Sequence, residues 1–175
     1  MRLIGTLTLI CVVAALALGI VYNNAAPLIA AQEEKRIQQA LKQVLPDADE
    51  FRMKQIDAKT YHEGYKKGRL IGYVMLAKAE GYSGDIEMMV GLDRKGAITG
   101  VQILSQQETP GLGACCVEIK HGEKDPWFTR QFKQKKATEL SLENIDTITG
   151  ATITSEAIID AIKEDAQEFL GKLKK

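Results

Sequence analysis

Apolar and polar positions follow three different rhythms along this chain, and each rhythm predicts a different kind of element. From Leu3 to Tyr22 the run LIGTLTLICVVAALALGIVY holds no charge. Wound as an α-helix, it would rise roughly 30 Å, the hydrocarbon thickness of a bilayer. A cleaved secretory signal is the competing reading, with small residues for cleavage at Ala25 and Ala26. The apolar core of such a signal is only about 7–15 residues long, so the length favours a retained anchor. The stretch NNAAP then interrupts the run, and Pro27 predicts a break. Beyond it, LIAAQEEKRIQQALKQVLP sets Ile37, Leu41, Val44 and Leu45 on one stripe, predicting an amphipathic helix that ends at Pro46. The expected organisation is a transmembrane anchor over residues 1–24, a connecting helix over 25–46 and a domain over 47–175.

From Lys67 the rhythm shortens. GRLIGYVMLAKAEGYSG and DIEMMVGLDRKGAITGVQILS are rich in Ile, Val, Tyr and Met, with glycines at their ends. They predict three antiparallel strands near Leu70–Ala79, Ile86–Leu92 and Ile98–Ser105, with DRKG (Asp93 to Gly96) as a hairpin turn. A loop, QQETPGLGACC, follows. Asp125 and Pro126 suit the N-cap and first residue of a helix WFTRQFKQKK, whose Trp127 and Phe128 should pack inward. The helical period returns in SEAIIDAIKEDAQEFLGKLKK, with Ile158, Ile162, Phe169 and Leu173 near one face, acids early and lysines late. The fold class is α+β, an antiparallel sheet flanked by helices and preceded by one transmembrane helix.

Charge narrows the partners. Lysine and arginine total 23, aspartate and glutamate 23, for a net charge of zero. Nucleic acid is not expected, because phosphate binding needs clustered positive charge. Lys133, Lys135 and Lys136 read as a solvated helix face. Cys11 lies in the apolar run, and the neighbours Cys115 and Cys116 cannot bridge each other without strain, so no disulfide framework is expected. Isolated His62 and His121 offer no metal spacing. Arg2 and the amino terminus precede the apolar run and Glu33 is the first charge after it, which places the domain on the extracytoplasmic side of the cytoplasmic (inner) membrane.

The chemistry concentrates in DTITGATITSEAI, Asp146 to Ile158. Ser and Thr commonly cap helices, and a cap accounts for Thr154 or Ser155. It leaves Asp146, Thr149 and Thr152 without a purpose, while Gly150 permits a turn and close approach by a ligand. Free N–H groups and the dipole at the helix start suit an anion, above all a phosphate. DTITGAT resembles the flavinylation motif Asp-x-x-(Ser/Thr)-Gly-Ala-Thr of proteins that carry FMN through a phosphoester to threonine. The resemblance implies attachment at Thr152, with Asp146, Thr149, Gly150, Ala151 and Thr154 around it, by a flavin transferase that takes FMN from FAD with magnesium.

A second stretch, Gly81 to Ala114, is similar to the FMN-binding domain of the G subunit of Rnf-type ion-translocating electron-transport complexes, its most distinctive piece being ETPGLG, Glu108 to Gly113. As plain structure, Pro110, Gly111 and Gly113 make a tight turn. The resemblance implies that this turn, with Leu112, approaches the flavin ring, and that Glu108 or Thr109 hydrogen-bonds to it. Trp127 either flanks the ring or serves as a core aromatic. Cys115 and Cys116 depart from the polar residues expected there and are assigned no role. The implied protein is a membrane-anchored flavoprotein subunit that relays electrons between ferredoxin and NAD chemistry and ion transport, with the other subunits, the transferase and membrane lipid as partners. The alternatives are the related C subunit of the sodium-translocating NADH:quinone reductase, another extracytoplasmic electron carrier, or an anchored module without redox function.

Overall fold

The computed structural model describes residues 2–57, 59–120, 122–123 and 125–173; His121 lies outside them. The chain divides into two compact units, one up to Gln39 and the other from Ala40 onward.

Helix α1 (Arg2–Val44) is long and apolar enough to cross a membrane, and its large apolar side chains from Leu3 to Ile29 are exposed. The break expected at Pro27 does not occur, since the proline lies inside an unbroken helix. Proline removes one N–H and leaves the Asn23 carbonyl without its donor. Ending the helix would free several more backbone groups, which costs more than one missing bond. Polar side chains in this unit turn back on their own helix: Thr8 Oγ1 donates to the Ile4 carbonyl at 2.9 Å and Asn24 Nδ2 to the Ile20 carbonyl at 2.8 Å.

In the second unit, five antiparallel strands form a sheet in simple sequence order, β1 (Glu50–Ile56), β2 (Lys59–Lys66), β3 (Arg69–Glu80), β4 (Asp85–Asp93) and β5 (Ile98–Ser105). The last three coincide with the predicted strands. Polar and charged residues interrupt both of the first two strands, so no apolar run marks them; hairpin pairing holds β1 on the sheet edge and β2 between β1 and β3. Lys67 and Gly68, with φ of 49° and 76°, make the two-residue turn between β2 and β3, the left-handed pair that matches strand twist. At the predicted DRKG turn the Asp93 carboxylate accepts from the Lys95 and Ala97 N–H groups at 2.7 and 2.8 Å.

One face of the sheet carries the core. Met75, Ala77 and Ala79 of β3, Ile86, Met88, Val90 and Leu92 of β4, and Val101 and Ile103 of β5 meet Ile158, Ile159, Ile162 and Ala166 of α3 (Thr152–Leu173). Full burial of each large side chain contributes about 1.5–3 kcal/mol. The opposite face offers a trough of glycines, Gly64, Gly72, Gly91 and Gly100, which receives Val44 and Leu45 at the end of α1. A Cβ at Gly100 would come within 2.9 Å of Val44 Cα, so only a bare backbone admits the helix end. Thr99 Oγ1 donates to the Val44 carbonyl at 2.5 Å and satisfies one of the acceptors a helix terminus leaves open.

The predicted helix WFTRQFKQKK shrinks to one turn, α2 (Trp127–Arg130), with Pro126 rather than Asp125 at its N-cap. Asp125 instead pairs with Lys133 at 2.5 Å. Gln134, at φ 66°, ends the helical course, and its N–H donates to the Ile98 carbonyl at 2.8 Å while the Ile98 N–H donates to the Lys135 carbonyl at 2.9 Å. Pairing with the start of β5 outcompetes continuation of the helix, so the lysines lie on a turn and not on a helix face. Phe128 and Phe132 are fully buried and Trp127 packs partly buried against the same core.

Candidate functional site

The threonine-rich stretch folds as a turn that ends in α3. This helix starts at Thr152, three residues ahead of the apolar pattern that predicts it, so neither Thr154 nor Ser155 is its cap. Ser155 Oγ instead accepts from the Ile148 N–H and donates to the Ala151 carbonyl, both at 2.9 Å. With the Ala151 N–H to Ile148 carbonyl bond at 2.9 Å, this closes residues 148–151 into a tight turn. Gly150 sits in that turn at φ 76°, a region L side chains avoid, and an added Cβ would crowd Leu112. The turn leaves Thr152 exposed at the first helical position. Backbone N–H groups there have no intrahelical acceptor until the Ser155 N–H reaches the Ala151 carbonyl at 3.0 Å.

The other side of the site is the ETPGLG loop. Leu112 N–H donates to the Thr109 carbonyl at 3.1 Å and a 3₁₀ turn, Gly113–Val117, follows. Glu108 is 5% exposed. Its Oε1 accepts from the Ser83 N–H at 2.9 Å and its Oε2 from the Thr154 hydroxyl at 2.5 Å. Thr109 Oγ1 lies 3.2 Å from Ser83 Oγ. Three segments remote in sequence are thus joined: the β3–β4 turn, the glycine-rich loop and the first turn of α3.

Between them lies a cavity of about 320 Å³. Of the residues singled out in the sequence, Glu108, Thr109, Leu112, Gly113, Gly150, Ala151, Thr152 and Thr154 line it. Asp146, Thr149 and Gly111 lie outside the lining. Tyr82 and Ile153 complete it, 72% and 57% exposed, and Leu112 is 43% exposed. No periodicity singles out Tyr82 or Ile153; the available signal is a large apolar side chain left uncovered near an exposed hydroxyl. Asp146 is held from another direction, since Gln131 Oε1 accepts from its N–H at 2.9 Å and Gln131 Nε2 donates to its carbonyl at 3.1 Å. No motif marks that pair.

A second cavity of about 330 Å³ lies between β3 and α3, but Glu80, Asp160, Glu164 and Asp165 line it with a single lysine, Lys78. Four carboxylates repel a phosphate. The Thr152 cavity suits one better, with one carboxylate, Glu108, in place of four, together with a free hydroxyl, open N–H groups and apolar walls for a planar ring. Cys116 is fully buried, and burial first, then the nearby Glu108 charge, pushes its thiol up to about 11; such a thiol is inert. Among the described residues no cluster of His, Cys, Asp and Glu could hold a metal ion.

Residues 81–167, which contain both the loop and the turn, match the FMN-binding domain family model. The fold agrees with a solved structure, that of the C subunit of the Na⁺-translocating NADH-quinone reductase of Parabacteroides distasonis, at a TM-score of 0.60 over 81% of this chain and 92% of that one, with 21% identity. The chain is 36% identical over 170 residues to the G subunit of the proton-translocating ferredoxin:NAD⁺ oxidoreductase complex of Clostridium ljungdahlii, covering 93% of this chain and 87% of the relative. It is 30% identical over 175 residues to the G subunit of the ion-translocating oxidoreductase complex of Methanosarcina acetivorans, with 92% and 89% covered. The chain belongs to the G-subunit family of Rnf-type ion-translocating oxidoreductase complexes.

Proposed function

We propose that this chain is a membrane-anchored electron-transfer subunit of an Rnf-type complex and that its FMN is esterified through phosphate to Thr152. The observation that carries the covalent reading is the composition of the cavity. Thr152 presents an exposed hydroxyl at its rim, while none of the described residues lining it is lysine or arginine. Without a cationic side chain in the lining, a freely exchanging FMN phosphate would be held by backbone N–H groups and hydroxyls alone. A phosphate bonded to Thr152 needs only the open N–H groups at the start of α3, and the covalent bond supplies the retention. Tyr82, Leu112 and Ile153 offer apolar surface to the ring, and Gly150 keeps the approach to the hydroxyl free of a Cβ.

In the transfer, the Thr152 oxygen bonds to the FMN-side phosphorus of FAD. The pyrophosphate P–O bond breaks, AMP departs, and the hydroxyl proton passes to a base of the transferase. Asp146, exposed and fixed through its backbone by Gln131, is the residue presented to that transferase with magnesium. Once bound, FMN supplies reversible electron transfer; the protein supplies position and electrostatics. The charge pattern around α1 supports a domain on the extracytoplasmic side, where a tether prevents loss of cofactor. The complex couples ferredoxin and NAD redox chemistry to ion movement, and the other subunits are the partners of this chain.

Protein made together with a transferase should yield a tryptic peptide Ala137–Lys163 heavier by one FMN less a water, with the mass on Thr152. Thr152→Ala should lose the adduct entirely and keep its fold by circular dichroism. An adduct that persists in this variant would place the ester on another hydroxyl. Protein in which every threonine is unmodified would leave an anchored α+β domain without this cofactor.

A further inference from the structure

Among the described residues lining the Thr152 cavity, Glu108 is the one acidic side chain, and it is 5% exposed. Both of its oxygens are held by neutral donors, the Ser83 N–H at 2.9 Å and the Thr154 hydroxyl at 2.5 Å. Its own N–H donates to Gln106 Oε1 at 2.6 Å. A desolvated carboxylate without a countercharge is costly, and its hydrogen bonds offset that cost without cancelling the charge. The surrounding backbone is shaped around it. A Cβ at Gly81 would strike Oε1, and one at Gly113 would come within 2.7 Å of Thr154 Oγ1 and 2.9 Å of Glu108 Cβ. Packing alone does not require a carboxylate here, because a glutamine oxygen accepts from Ser83 equally well. What the acid adds is charge.

We propose that Glu108 is a positioning residue whose buried carboxylate, unpaired with any cation among the described residues, also places a fixed negative charge in the Thr152 cavity, and that this charge lowers the reduction potential of the flavin tethered there. The inference rests on the covalent FMN reading and deepens it. Through Thr154 the carboxylate ties the first turn of α3, which bears Thr152, to the loop and to the β3–β4 turn. An electron entering the cavity meets its repulsion, which solvent in the open cavity weakens but which the burial of the carboxylate itself keeps from being fully screened.

The test uses the full chain made with its transferase, at pH 8. It combines mass analysis of the adduct, a redox titration of the bound flavin and a melting curve. Glu108→Gln removes the charge and keeps the shape; the flavin should remain attached and its midpoint potential should rise. Thr154→Val removes a neutral donor and leaves the charge less compensated, so the midpoint potential should fall. Thr154→Val should melt earlier, because it strips a buried acceptor of its donor. A purely structural carboxylate would shift melting temperatures but would not drive the potentials in opposite directions. A midpoint in Glu108→Gln equal to or below that of the unsubstituted chain overturns the proposal. If Glu108→Gln fails to fold or to carry flavin, Thr154→Val decides, and a midpoint that stays level or rises overturns it. Absence of the adduct from the unsubstituted chain is a separate failure, that of the Thr152 reading, and shows before any variant is compared.

Discussion

The two ends of α3 handle charge in opposite ways. At its start, Thr154 and Ser155 are buried and each polar atom has a designated partner across the fold: Glu108 for one, Ile148 and Ala151 for the other. At its end, Asp165, Glu168 and Lys172 form a chain of exposed ion pairs with Lys59 and Asp57 of the β1–β2 hairpin, at 2.6 to 2.8 Å. The first end has few groups in one geometry, and removing any of them strands a buried partner. The second has several interchangeable partners in water. Buried hydrogen bonds specify geometry, whereas exposed ion pairs contribute little and fade with salt. The candidate site lies at the end where geometry is specified, as the attachment proposed at Thr152 would require.

The strongest way to break this contrast is at Ser155. Ser155→Ala leaves the Ile148 N–H buried without an acceptor, and the expected loss is about 1–3 kcal/mol in denaturant titration. It should also loosen the turn that carries Gly150 and slow flavin attachment. A loss indistinguishable from that of an exposed substitution would mean the turn is held by other contacts. A smaller effect is expected at the far end. Lys59→Met cuts two ion pairs, yet it should cost clearly less than Ser155→Ala, and the difference from the unsubstituted chain should vanish in about 1 M salt, where charges are screened over roughly 3 Å. A loss that persists at high salt would show that the hairpin is docked by packing and not by charge.

The smallest expected effect depends on pH. Hydrogen bonds from Lys172 and then Lys59 hold the Glu168 carboxyl down at about 2, below its ordinary 4.5. Its contribution to stability is therefore present above pH 4.5 and is lost as pH falls through about 2. Exposure to solvent keeps that contribution small. Glu168→Gln should differ slightly from the unsubstituted chain near neutral pH and converge with it towards pH 2. Curves that stay parallel across that window would remove Glu168 from the ion network.

Some of this was legible in the amino-acid order and some was not, for physical reasons that particular residues illustrate. Helical and period-two patterns located α3 and the strands β3 to β5, because those segments bury one face and their own spacing records it. DRKG predicted its hairpin because Asp93 and Gly96 satisfy the turn locally. Strand β1 buries little, and β2 buries a tyrosine and a glycine among polar neighbours, so EFRMKQI and KTYHEGYK carry no such record. Helix ends were the weakest point. Pro27 was expected to break α1 and does not, and residues 131–136 looked helical until their backbone found a partner in β5.

The order of residues alone dictated which elements form where burial is one-sided, where an apolar span begins, and which hydroxyl the motif singles out, since each follows from neighbours within a few residues. Three-dimensional packing was needed to bring Glu108 to Thr154, 46 positions away, to set Gln131 against Asp146, and to align four glycines into a seat for the end of α1. Those contacts depend on how strands register and layers stack, and a free energy spread over the whole core, not any local preference, selects among the possible registers.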